Sequence, residues 1–406
     1  MKTKLSPFVL LCIMGGLAIF SSTMAKNPAL PLFIRSLGVP LSTVGYIAAA
    51  STIVGIVVSF PAGILSDIIV RRRVMVTAAV VFATAPFLYL VIAAPWQLVL
   101  VRVYHGLATA ILAPVALAAI ADTFDKGRGE RMGWYSSATM VGRFLAPLVG
   151  GILIFGEDFH WVYLAGGFAA ILALVAAVRL PLASAPSESW REAFRQQRAT
   201  YGQAIRSVLR HLGILATSGV EAVQYFAFGA LETFLPIYLH EQLGYPPWKI
   251  GLLFTAQILA ATLTKPMMGR LSDRYGRVRM IVSGLILGGI ATGSMVLSSD
   301  YFVIMVLMAL FGLGLATVTA STAALVADLS PSRGRGGALG ILSSIMDVGH
   351  ASGPIVTGIL VSAYSYLAAF ASVGGLLIVA SLTFGFLVHP GAPGEDGKHV
   401  HNTRRS

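Results

Sequence analysis

The chain runs as about a dozen apolar stretches, each roughly 20 to 30 residues long, separated by short polar loops. A stretch of that length crosses a hydrocarbon layer about 30 Å thick. Inside such a layer backbone groups must satisfy one another, so continuous apolar runs of this length specify helices. Composition agrees: of 406 residues only 11% are charged and 56% are hydrophobic, with a mean hydropathy of +0.80. Soluble domains carry about one quarter charged residues, so this chain cannot clothe itself in a water-facing shell. Forty-three glycines suit helices that approach closely in lipid. The sequence therefore predicts an all-α membrane protein. Its twelve helices fall near 7–34, 41–66, 73–94, 97–122, 131–156, 160–181, 208–239, 247–270, 278–298, 301–327, 335–362 and 366–389.

The chain also repeats. Met268-Gly-Arg-Leu-Ser-Asp-Arg-Tyr-Gly-Arg-Val-Arg279 has a weaker copy at Gly63-Ile-Leu-Ser-Asp67, followed by Arg71, Arg72 and Arg73. One offset relates them (269 − 63 = 206 and 273 − 67 = 206). Nearly the same offset relates Gly106 to Gly312, Ala121-Asp122 to Ala327-Asp328, Ser136-Ser137 to Ser343-Ser344, and Pro147 to Pro354. The run Gly269, Leu271, Asp273, Arg274, Gly276, Arg277 resembles the signature loop of major facilitator superfamily transporters, which recurs between their second and third and their eighth and ninth helices. The first copy departs, with Ile68 and Val70 where the family has Arg and Gly. The resemblance implies two six-helix bundles, at 1–182 and 208–389, related by an axis along the membrane normal with a central site between them. It also implies an inner gate latched by Asp67, Arg71, Gly269, Asp273, Arg274 and Arg277. In physical terms a carboxylate there faces the positive end of a neighbouring helix, and the arginines sit at the headgroups.

Charge sets the expected orientation. Lys126, Arg128, Arg131, Arg179, Arg333 and Arg335 lie in or beside even-to-odd connections, whereas Pro95-Trp96-Gln97 and Ser298-Ser-Asp300 carry no basic residue. The positive-inside bias then places both termini in the cytosol of an inner (plasma) membrane. The same bias accounts for the net charge of +12 without invoking nucleic acid as a partner. Residues 1–25 have the outline of a secretory signal. However, Pro31-Leu-Phe-Ile-Arg35-Ser-Leu-Gly38 matches Pro236-Ile-Tyr-Leu-His240-Glu-Gln-Leu-Gly244, so the first segment is expected to be a retained span. Between the halves, 183–207 reads as a basic amphipathic helix on the inner leaflet, opened by the capping pattern Ser189-Trp190-Arg191-Glu192. The Gly- and Pro-rich tail at 390–406 is expected to be disordered. The single cysteine, Cys12, leaves no intramolecular disulfide. No His-x-x-x-His or Cys-x-x-Cys spacing occurs, so neither metal nor cofactor is expected.

Two further elements resemble the family. Arg102-Val-Tyr-His105-Gly106 looks like its Arg-x-x-x-Gly element. Gly142-Arg143-Phe-Leu-Ala146-Pro147-Leu-Val-Gly150-Gly151 looks like the glycine-proline element found mainly in its exporters, with Ala146 replacing a Gly. A second copy appears as Gly349-His350-Ala-Ser-Gly353-Pro354. Gly142, Pro147, Gly150, Gly151, Gly353 and Pro354 are thus expected to form packing seams, where small residues let backbones approach and proline bends the helix.

The ionisable residues inside the spans divide by half: Lys26, Arg102 and Arg143 in the first, Glu221, Glu232 and Asp347 in the second. Repeat partners do not share them, since Asn27 answers Glu232 and Met140 answers Asp347. A charge in lipid is costly, so such residues line water or pair across a seam. An arginine such as Arg102 could alternatively form a static pair or snorkel. The expected central cavity comprises Lys26, Asn27, Arg102, His105, Arg143, Gln224 and His350. Lys26 and Glu232, both in the outer third, form a candidate outer gate. Glu221, Asp347 and Glu232 are candidates for proton coupling, which needs a carboxyl able to be neutral or charged. The expected function is proton-coupled efflux of an amphipathic small molecule by alternating access, from a monomer surrounded by lipid. The alternatives are transport of an organic anion held by Lys26, Arg102 and Arg143, and, more remotely, a membrane-embedded enzyme or sensor.

Overall fold

The computed structural model describes residues 6–68, 71–124, 127–181, 202, 206, 211–330 and 335–388. The linker predicted at 183–207 (Gly202 and Arg206 excepted), the tail at 390–406, and the side chains of Asp67 and Arg71 fall outside the described residues.

The first half begins with α1 (Pro7–Lys26) and α2 (Ala29–Ser36), which together make one span. It continues with α3 (Leu41–Ile68), α4 (Arg71–Tyr89), α5 (Pro95–Thr123), α6 (Arg128–Ile152) and α7 (His160–Val178). The second half holds α8 (Leu212–Ile237) with a π-turn at Tyr238–Gln242, α9 (Pro247–Tyr275), α10 (Arg277–Ser294), α11 (Tyr301–Leu329), α12 (Arg335–Ala363) and α13 (Tyr366–Leu387). Among the described residues, ten spans are long and apolar enough to cross a membrane. The two that fall short, α6 and α10, carry basic residues: Arg128, Arg131 and Arg143 in one, Arg277 and Arg279 in the other. Helix starts are chemically marked. Ser6, Asp300 and Ser365 each accept a backbone N–H three residues on, at 3.3, 2.9 and 3.1 Å, and proline opens α1, α5 and α9. Large apolar side chains face outward, Phe386 being 82% and Leu263 74% exposed, as a lipid-facing surface requires.

Two boundaries differ from expectation for identifiable reasons. The predicted helix 7–34 breaks at Asn27-Pro28, because proline lacks an N–H and bars the preceding residue from helical backbone. Conversely, α9 runs past the expected end at 270 to Tyr275, so most of the signature loop is helical. Arg274 suits the negative C-terminal end, and Gly276 alone makes the turn into α10. Its φ of +94° is one that a side-chain-bearing residue rarely adopts.

Packing obeys the repeat. Gly142 of α6 rests on the Gly16 carbonyl, and its equivalent Gly349 of α12 rests on the Ala222 carbonyl, 206 residues along (222 − 16 = 206). Gly106 of α5 sits on Ser51, and Gly312 of α11 on Gln257. Across the seam Gly45 of α3 lies under the Pro354 carbonyl of α12, while Gly251 of α9 lies under the Pro147 carbonyl of α6. Gly151 meets Pro247, and Gly358 meets Leu41. A methyl at most of these sites would overlap a backbone carbonyl, which cannot swing aside, so the glycines set the helix spacing. Of the other glycines in these two elements, Gly150 lies against Met24 and Gly353 under the Phe226 carbonyl.

A central cavity between the halves

All the cross-seam contacts just described lie toward one end of the molecule, which we term the closed end. Its rim is an ion pair: Arg35 of α2 grips Glu241 of the π-turn with bonds of 2.6 and 3.3 Å, while its third nitrogen donates to the Val39 carbonyl at 2.5 Å. One layer deeper, Asn27 donates to Glu232 at 2.7 Å. These two residues are repeat equivalents, and symmetry-related residues can touch only at their axis. The other oxygen of Glu232 is bonded by His350 Nε2 at 2.9 Å, and the His350 ring stacks on Phe228. Thr255 adds a bond to the Phe144 carbonyl, at 2.9 Å, across the α6–α9 seam.

Beneath this closure lie two voids. The upper one, about 20 Å³, is bordered by Lys26, Arg102, Glu232, Thr233, His350 and Pro354. The lower one, about 570 Å³, is bordered by Lys26, Ser51, Thr52, Thr109, Asp347 and His350, and continues past Gly55, Pro114 and Gly340 toward the end that bears the Tyr275–Arg277 hairpin. Its volume falls in the range of sites for drug-sized molecules. Hydroxyls from α3, α5 and α12 face each other there beneath one ammonium and beside one carboxylate.

The structure distributes the candidate residues unevenly. Lys26, Arg102, Glu232, Asp347 and His350 border the voids, and Asn27 is bonded to Glu232. Arg102 is only 2% exposed; it donates to the Ala48 carbonyl at 2.8 Å and to Ser51 at 2.5 Å, so it braces α5 against α3 as well as bordering the upper void. His105 does not reach either void. Its ring is buried edge-on against Phe82 and Tyr89 inside the first bundle. Gln224 is likewise outside them, buried in the second bundle against Gly288. Glu221 is 5% exposed and accepts a bond from Thr322 of α11, within its own half. Arg143 is exposed on α6, with Tyr225 and Lys265 in electrostatic range.

At the open end, Arg277 bonds Asp273 at 2.5 Å and Asp328 at 3.2 Å, both within the second half. Arg274 lies over the Tyr275 ring, and the surroundings of Gly269 are empty. Among the described residues, then, the hairpin's gating candidates bond inside one bundle and not across the seam.

This architecture now meets its relatives. The family model "Major Facilitator Superfamily" matches residues 11–249 and 217–404. The chain belongs to the Major Facilitator Superfamily. Among its relatives, Multidrug resistance protein 2 of Bacillus subtilis is 25% identical over 341 residues, 82% of this chain and 83% of that one. The quinolone resistance protein NorA of Staphylococcus aureus is 23% identical over 358 residues, covering 87% and 90%. Of solved structures, the nucleoside transporter NupG (D323A mutant) superposes with a TM-score of 0.81 at 14% identity, covering 94% of this chain and all of that one. A bacterial homolog of the human lysosomal transporter Spinster superposes at 0.76 with 16% identity, covering 94% of each. Such distant structural likeness speaks to fold alone.

Within this facilitator fold, several residues at the site escaped the sequence reading. Arg35 and Glu241 were quoted as parts of matched segments, yet pairing them requires knowing that α2 and the π-turn meet on the axis. Thr322 is the hydroxyl against Glu221, and nothing in its sequence setting distinguishes it from Thr317 or Thr319. Lys265 did leave a signal: it is a cation inside the predicted helix 247–270, masked by its nearness to the basic hairpin.

Proposed function

We propose that this chain is a proton-coupled exporter of amphipathic small molecules, working by alternating access from the inner membrane with both termini in the cytosol. The observation that carries this reading is the 570 Å³ cavity on the seam, bordered by Lys26, Asp347 and several hydroxyls, closed off at one end by Asn27, Glu232, His350, Arg35 and Glu241 and continuing, among the described residues, toward the other. The open end bears the basic hairpin, so the bias of charges makes it the cytosolic one. Export is favoured by the relatives named for drug resistance.

For the proton, the reading assigns Glu221 first and Asp347 second. Glu221 is a buried carboxyl with a neutral hydroxyl partner and one cation, Lys265, in electrostatic range; Lys265 in turn lies in range of Arg143. A group held so is suited to exchange a proton as those cations move. Asp347 borders the cavity, where cargo and proton would compete. Lys26 and Glu232, which border the same small void within electrostatic range of each other, serve as the outer gate. The chain is taken to act as a monomer, because each half finds its partner within the same chain.

The test is flux in proteoliposomes with ethidium as cargo. An imposed pH gradient should be dissipated when ethidium is added, and Glu221→Gln should abolish that while leaving ethidium binding detectable. Undiminished coupling in the variant removes Glu221 from the proton path. The second reading, organic-anion transport, draws on Arg143 and Lys265 lying in range of each other. Carboxyfluorescein moving in place of ethidium would decide for it.

A further inference from the structure

A second hollow, about 520 Å³, opens at the closed end of the first half, away from the seam. Its walls are aromatic: Phe33, Tyr89, Phe155, Phe159 and Tyr163. Tyr89 and Tyr163 stack with centroids 4.6 Å apart and planes 4° from parallel, and Phe33 meets both Tyr163 and Phe159 at about 5.5 Å. Both tyrosines are almost completely buried, so this floor is already formed. Phe155, at the mouth, is 61% exposed.

The charge at the mouth is of one sign. Among the described residues, Glu157 and Asp158 line it beside His160, and no lysine or arginine does. Asp158 accepts from the His160 backbone N–H at 2.8 Å and from its ring at 2.6 Å. Those bonds hold its carboxyl below the usual range, so it stays ionised at neutral pH. Beneath the floor, Arg102 lies within electrostatic range of both tyrosines. The hollow thus has two carboxylates at its mouth and a buried guanidinium behind its floor.

We propose that this hollow is a second binding site, taking a flat aromatic organic cation of drug size. The exposed ring of Phe155 attracts a cation and the two carboxylates complement it. The volume suits one such molecule. The site does not depend on what the central cavity carries.

The experiment uses the full chain in nanodiscs of zwitterionic lipid, titrated with propidium, a flat aromatic dication whose fluorescence reports binding, with empty nanodiscs as the blank. Saturable binding is expected. Glu157→Gln, which breaks no hydrogen bond of the fold, should weaken it about fivefold, and Glu157→Gln with Asp158→Asn about tenfold or more. Phe155→Ala should weaken it as well, whereas Asp347→Asn should leave this component unchanged. Absence of saturable binding overturns the proposal, as does wild-type affinity in Glu157→Gln and the double variant, or loss in Asp347→Asn instead. None of those outcomes bears on ethidium flux through the central cavity.

Discussion

The two halves agree in backbone and disagree in charge. Gly45 and Gly251 each lie under a proline carbonyl of the other half, and Gly142 and Gly349 each lie on a carbonyl of the same half. Yet Asn27 answers Glu232, Gly15 answers Glu221, Met140 answers Asp347 and Arg143 answers His350. The reason is physical. A helix contact through glycine tolerates no added atom, so both halves must keep it. Side chains that border a cavity carry no such constraint, so the two halves can differ there. On the function proposed above, symmetry of packing would let the two sides move alike, while asymmetry of charge would let them respond differently to a proton or a cargo.

That comparison can be broken in stages. The largest effect is expected at the seam glycines: Gly45→Val and Gly251→Val each drive carbons into a backbone carbonyl. Overpacking of this kind costs about 1–3 kcal/mol or more. Both variants should lose transport and melt markedly lower by fluorescence thermal shift in detergent. If only one is harmed, the two seams are not equivalent.

The next effect tests the charge side of the comparison. Glu221→Gln should reduce pH-gradient dissipation at least about tenfold, roughly 1.4 kcal/mol. Placing the carboxyl in the other half, by adding Gly15→Glu to Glu221→Gln, should not restore it. Gly15 is packed against the Tyr135 ring and has no space for a side chain. Recovery there would make the asymmetry unnecessary.

Smaller again is the axis contact. Glu232→Gln keeps the shape but removes the charge from two bonds, each worth about 1.5–3 kcal/mol when charged and rather less when neutral. Cysteine labelling at the closed end should rise severalfold. Lys26→Ala should act in the same direction, and exchanging Lys26 with Glu232 should restore part of the closure. No restoration would separate the two residues. The least effect belongs to the rim pair. Arg35 and Glu241 are about one quarter exposed, so water screens them, and Arg35→Ala should cost only about 0.2–1 kcal/mol. The same labelling assay should register a change of less than about fivefold, and the charge-exchanged pair should recover it.

Much of this was legible in the chain itself. Ten of the spans follow from apolar run length, and the repeat and the family resemblance, which supply α6 and α10, follow from Gly, Pro and Arg at fixed offsets. The site was legible in part. Lys26, Arg102, Glu232, Asp347 and His350 border the voids as a rule about charges in lipid would place them. His105 and Gln224 do not, because their direction round the helix depends on how α5 and α8 are rotated within their bundles. A sequence with no alignment carries little information on that rotation.

The sequence alone determined that this chain spans a membrane as two equivalent helical halves, because hydrocarbon permits no other use of such segments and the repeat is written residue by residue. Tertiary structure alone decided which end is shut, which charges meet, and that Asn27 touches its own counterpart Glu232. Those outcomes depend on where the axis runs and how each helix is turned about itself. Both are set by the sum of side-chain contacts across hundreds of residues and by no local pattern.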